Sequence, residues 1–228
     1  MSFADIPTRP SAVVVSLSWL LLMFTLAVII GASIQPPAAV PATAAATEFS
    51  SARAMQALAQ FTQELHPVGS VERERVKQYL VEQMQALGPE PAMETQTGVV
   101  VNTHAVIAAR GSNIVGRLKA TDSTRAVMLT AHYDTVDRAP GAGDDGGGVA
   151  AILETVTALE EGPRLKNDVI VLLTDGEELD LLGAREAAHH DSWLQQVGVM
   201  FNFEGRGDQG QSMLFETGSG IITSSRRS

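Results

Sequence analysis

Cysteine is absent from the 228 residues. Disulfides, zinc fingers, thiolate metal clusters and cysteine nucleophiles are therefore excluded, and any metal ion must be held by His, Asp and Glu. Basic residues are also scarce, 16 against 26 acidic ones, for a formal net charge of -10. That balance removes any general electrostatic reason to hold nucleic acid, and no nucleic-acid partner is expected. A G-x-S-x-G serine-hydrolase elbow is missing. So is an Asn-X-Ser/Thr glycosylation acceptor. Only 5% of the residues are aromatic, but 45% are hydrophobic, which excludes wholesale disorder and supports a folded core.

The first feature present is a long apolar run. Val13–Ile34 carries no charge over 22 residues. As a helix it would reach roughly 33 Å, enough to cross a bilayer core and longer than the apolar region of a signal peptide. Residues 1–12 then form a short tail and 13–34 a transmembrane helix. Residues 35–47, rich in Ala and Pro, read as a linker. The expected arrangement is single-pass, with the bulk of the chain on the non-cytosolic side, in a periplasm or an ER or vacuolar lumen.

Residues 48–228 read as one domain. Helical spacing marks Ser51–Leu65, with Met55, Leu58, Ala59, Phe61, Thr62 and Leu65 on one side. After the HPVGS turn, Ser70 caps a helix bearing Val71, Val76, Tyr79, Leu80, Met84 and Leu87. Strand-like stretches follow at 98–109, 113–118, 127–131, 168–174, 197–203 and 212–216. They alternate with helical stretches at 147–159 and 184–196. This alternation predicts an α/β domain with a mostly parallel central sheet, whose ligands bind beyond the carboxyl ends of the strands.

Polar clusters lie at those ends. His132-Tyr-Asp134 follows VMLTA, Asp175-Gly-Glu177-Glu178 follows VIVLLT, and Glu204 follows VMFNF. Asp144 and Asp145 sit within the glycine-rich stretch 141–148, which carries no Walker lysine and would repel a phosphate. Residues i and i+2 of a strand point the same way, so Asp134 can orient the His132 ring. Carboxylates gathered around one imidazole repel each other unless cations neutralise them. Oxygen and imidazole donors together suit Zn²⁺, Mn²⁺ or Co²⁺.

In this order, H132-Y-D134, G141-A-G-D144-D145-G-G-G, D175-G-E177-E178 and N202-F-E204-G-R-G resemble peptidase family M28, the co-catalytic zinc aminopeptidases. Within it, the likeness is to the membrane-anchored branch of ER and vacuolar membrane metallopeptidases. It covers about residues 48–217. The resemblance implies a three-layer αβα zinc-peptidase fold with a mostly parallel (mixed) central sheet, and a two-zinc site. Asp144 would bridge the metals, His132 and Glu204 would complete one zinc, and Glu178 would bind the other. Glu177 would be the general base, and Asp134 would orient His132.

The implied activity is zinc-dependent hydrolysis of peptides, with removal of N-terminal residues. Carboxypeptidase and glutaminyl cyclase-like activities are the alternatives on the same scaffold. The family pattern also requires a His downstream of Glu204, and none follows it here. That absence creates the expectation of a domain incomplete at its C-terminus, and of a catalytically impaired fragment as a further alternative. The remaining histidines, His66, His104, His189 and His190, are expected in surface or loop roles. Oligomeric state is not legible.

Overall fold

The computed structural model describes residues 11–86, 91–101, 106–190, 192–205 and 212–218. The N-terminal tail, His104 and the extreme C-terminal residues fall outside that set. Two units are distinguished, one containing the N-terminal helix and the other the α/β domain that begins at Ala39.

Helix α1 spans Ala12–Ser33, 22 residues with every side chain at least partly exposed. Its polar side chains do not interrupt it. The Ser18 and Thr25 hydroxyls donate to the carbonyls of Val14 and Leu21, at 2.9 and 2.8 Å, so neither is left unpaired on an apolar rod. By length and composition α1 can cross a membrane.

The α/β domain opens with α2 (Ser51–Phe61), capped by the Ser50 hydroxyl. The segment before it is held in place. Arg53 donates to the carbonyls of Ala42, Ala44, Ala45 and Glu48 and to the Glu154 carboxylate. The buried stripe of α2 is Ala54, Leu58 and Phe61, whereas Met55 and Leu65 are exposed. The helix is thus rotated from the stripe expected, and Thr62 ends it before Leu65. Ser70 caps α3 (Val71–Ala86), which buries Val76, Leu80 and Met84 and also Arg73, while Val71 is exposed.

Five strands form one sheet in the order β1-β2-β4-β3-β5. They are β1 (Ala92–Val101), β2 (Val106–Leu118), β3 (Ala126–His132), β4 (Val169–Thr174) and β5 (Val197–Asn202). β3 runs parallel to both β4 and β5, but β2 is antiparallel to β1 and to β4. The sheet is therefore mixed, as expected: β1, β3, β4 and β5 run one way and β2 runs against them. The reason is local: β1 and β2 form a hairpin, which reverses the chain before the helix-connected strands begin. Residues 212–216, expected as a strand, are in no strand.

β4 is buried at every position, and β3 at all but Val127. This is the signature of strands covered on both faces. Helices α2, α3 and α4 (Gly147–Glu160) contribute to one core with Leu129, Val171 and Leu173 of the sheet. Ala187 of α5 (Leu182–His190) packs with Met128, Ile170 and Leu172 in a second. Register then decides where the polar groups meet. His132 pairs with Thr174, and Thr130 with Asn202, so β3, β4 and β5 end at nearly one level.

Candidate metal centre

Each strand delivers its polar group at or just past its last residue. His132 is the final residue of β3 and is 2% exposed. Its Nδ1 lies 3.2 Å from the Asp134 carbonyl oxygen and 3.5 Å from the Asp134 carboxylate. A carbonyl can only accept, so Nδ1 carries a hydrogen and Nε2 is the nitrogen that faces the site. Nε2 lies 3.0 Å from Asp144 Oδ1 and 3.8 Å from carboxylate oxygens of both Glu177 and Glu204.

The segment bearing Asp144 is a kinked wide turn over Ala142–Gly146, entered through Gly141 at a left-handed φ of 71°. Its Asp144–Asp145 peptide bond is cis. Asp145 is buried, and its carboxylate accepts the His132 backbone N–H at 3.2 Å. Glu204 reaches the same place because the next residue is glycine. A Cβ on Gly205 would sit 2.5 Å from the Gly143 carbonyl oxygen and 2.6 Å from the Asp144 Cα, so only glycine allows this approach.

After β4, Gly176 at φ 77° starts a single tight turn, Glu177–Leu179. Asp134 accepts the backbone N–H of Glu177 at 3.0 Å and of Glu178 at 3.3 Å. Asp134 therefore braces this turn as well as touching His132, a second task that sequence spacing does not reveal.

The electrostatics are those of a site short of positive charge. Burial opposes protonation of His132, yet the hydrogen bond and charge from Asp134, with Asp145 and Glu177, push its pKa up to about 10. Burial raises Asp145 to about 7. Glu177 is raised mainly by burial, against the His132 charge, and further by Glu204 and Glu178. Glu178 is raised by burial and then by Asp144. A divalent ion at Nε2 would replace the proton that these carboxylates attract, so the donor set fits a metal.

One atom each from His132, Asp144 and Glu204 comes within 4.8 Å of the others, and these residues form a triad able to hold a metal ion. Glu178 is not part of that group among the described residues. Beside it lies a cavity of about 330 Å³, lined by Met128, Leu172, Leu194 and Met200 together with His132, Glu177 and Glu204.

The sequence model of peptidase family M28 matches residues 113–227 of this chain. The chain belongs to peptidase family M28. Among curated relatives, the vacuolar membrane protease of Yarrowia lipolytica is 32% identical over 174 residues, 66% of this chain and 17% of its own length. That of Candida tropicalis is 32% identical over 165 residues, 69% of this chain and 18% of its own length. The chain thus spans under a fifth of these relatives. Solved structures share the fold. A zinc aminopeptidase from Bacillus subtilis superposes with a TM-score of 0.61 at 14% identity, covering 71% of this chain and 70% of that one. Porphyromonas gingivalis glutaminyl cyclase gives 0.58 at 20%, covering 70% and 60%.

His66 lies in a loop, as expected, but is buried, 2% exposed. Its backbone N–H donates to the Thr135 hydroxyl and its Nδ1 contacts the Glu64 carbonyl, so it joins the HPVGS turn to the strand end behind Asp134. His189 is exposed on α5. The side chain of His190 lies outside the described residues. Arg73 was not singled out in the sequence, and Asp175 was noted only as the head of the D175-G-E177-E178 string; the two form a buried ion pair behind the Glu177 turn. The only signal for Arg73 was its position three residues after the capping Ser70.

Proposed function

We propose that this chain carries the catalytic domain of a membrane-anchored, zinc-dependent peptidase that removes N-terminal residues from peptides. The supporting observation is the convergence of His132 Nε2, Asp144 and Glu204 beside the half-buried Glu177 carboxyl. In this reading His132, Asp144 and Glu204 would hold one zinc, and Glu178 together with Asp144 would hold a second. Bound zinc supplies Lewis acidity that polarises a carbonyl and lowers the pKa of water toward neutrality. Glu177 accepts the proton of the attacking water and returns it to the leaving amine. Burial raises its carboxyl above the usual range, which suits a base that must also act as an acid near neutral pH. Asp134 fixes the His132 tautomer and keeps the two glutamates in place. Helix α1 anchors the domain, which faces a periplasm or a vacuolar or ER lumen. The name of the vacuolar membrane relatives supports that placement.

The test uses the full chain in detergent or nanodiscs. Zinc stoichiometry is measured alongside hydrolysis of leucine and alanine anilides and of peptides with free or acetylated N-termini. The expected result is bound zinc and turnover confined to free N-termini. E177A should lower that turnover about 10²–10⁴-fold while retaining the metal. Turnover of acetylated peptides, insensitivity to E177A, or a chain that takes up no zinc would each reject the reading.

A further inference from the structure

We infer that Arg73, which precedes every candidate ligand in the sequence, is a positioning residue for the Glu177–Glu178 turn. The inference uses the proposed peptidase reading for what the turn does, but the positioning itself can be read without activity. Arg73 is 3% exposed and Asp175, the residue that leads into the turn, is fully buried. Arg73 Nε donates to Asp175 Oδ1 at 3.2 Å, and a terminal guanidinium nitrogen donates to Oδ2. The contact is a fork that fixes the orientation of the carboxylate as well as its place.

The rest of the surroundings extend that constraint to the whole loop. Asp175 Oδ2 also accepts the Ser112 backbone N–H at 2.7 Å. The Asp175 N–H donates to Asn113 Oδ1 at 3.1 Å, and Asn113 Nδ2 donates to the Gly183 carbonyl at 2.9 Å. β2 therefore grips the loop at residues 175 and 183. Tyr133, between His132 and Asp134, donates its hydroxyl to the Ser112 carbonyl at 2.6 Å.

The turn is braced from two sides. Asp134 accepts the Glu177 and Glu178 amides at one side, and Asp175 anchors the entry at the other. Without its cation, Asp175 would be a buried charge facing backbone dipoles alone, and the loop would move to hydrate it. Gly176 and Glu177 follow Asp175 directly, so such a movement displaces the glutamates.

Three variants of the full chain test this: R73M, R73K and the charge-free double variant R73M/D175N. Hydrogen exchange of the Glu177 and Glu178 amides reports the turn, Co²⁺ titration reports the metal site, and thermal melting reports the fold. R73M is expected to speed exchange at both amides at least about tenfold, with α4 unchanged, and to weaken Co²⁺ binding about 10–100-fold. R73K should fall between R73M and the parent, because a point charge replaces the fork. The double variant should recover melting temperature, since no unpaired charge remains, without recovering slow exchange or tight Co²⁺ binding. Parental exchange and Co²⁺ affinity in R73M would overturn the inference. So would a double variant in which both recover together with stability. If the parent chain hydrolyses nothing, the peptidase reading fails while the exchange comparison still decides the role of Arg73.

Discussion

Asp134 accepts the backbone N–H of Glu177 at 3.0 Å across 43 residues of sequence. The same carboxylate accepts the Glu178 N–H and lies 3.5 Å from His132 Nδ1. One buried side chain thus sets the imidazole and the two glutamates against each other. D134N keeps the size but replaces one acceptor oxygen with an amide donor facing a backbone N–H. A loss of about 10–100-fold in both metal affinity and turnover is expected, measured by competition titration and anilide hydrolysis.

Metal removal should destabilise the domain as well as silence it. In the apo state the Asp144, Glu177 and Glu204 carboxylates share the single positive charge of the His132 ring in place of a divalent ion. Zinc at about 100 times its dissociation constant should stabilise the fold by about 2.7 kcal/mol. Thermal melts with chelator, and then with zinc restored, check this. E204A should abolish most of the zinc-dependent rise by removing a ligand of the triad.

Gly205 should tolerate no side chain. In G205A the new Cβ would meet the Gly143 carbonyl oxygen and the Asp144 Cα at 2.5 and 2.6 Å. Relieving that overlap is expected to cost about 1–3 kcal/mol and to separate Glu204 from Asp144. The measurable outcome is weaker zinc binding together with a lower melting temperature.

Acid should act on the foot of the sheet through Asp168. Its carboxylate accepts the Ala120 backbone N–H at 2.8 Å and pairs with Arg117, and these contacts hold its pKa below the ordinary aspartate value. A depressed carboxyl contributes stability that is fully present above the unfolded-state pKa, near 4, and disappears as pH falls through the folded value. D168N is expected to cost about 1–3 kcal/mol at neutral pH. The gap between parent and variant should begin to narrow near pH 4 in denaturant titrations and close only once pH has fallen through the lower folded-state value, where Asp168 becomes uncharged.

Much of the candidate site was legible because its chemistry is written in short local strings at strand ends. His132, Asp144 and Glu204 were all expected, and the structure gathers them within 4.8 Å. Apolar strands next to abrupt polar clusters reveal such ends without knowledge of strand order. Helices were less legible where burial depends on rotation, as Met55 and Val71 show by their exposure. A mixed sheet was expected, but which strand runs against the others was not, because hydrophobic pattern marks a strand and not its direction. Arg73 was missed for a related reason: in VERER it reads as one more charge on a solvated helix face.

The sequence by itself determined the residue types available for chemistry, an apolar helix of spanning length, and the placing of acids and imidazole after buried strands. Those properties are local and follow from composition, hydrophobic period and the absence of cysteine. Only the tertiary structure decided that Arg73 faces Asp175 across 102 residues, that Asp134 braces the glutamate turn, and that Gly205 packs on Asp144. Each depends on the order and register of strands brought together by burial, and long-range pairing of that kind leaves no periodic trace in the chain.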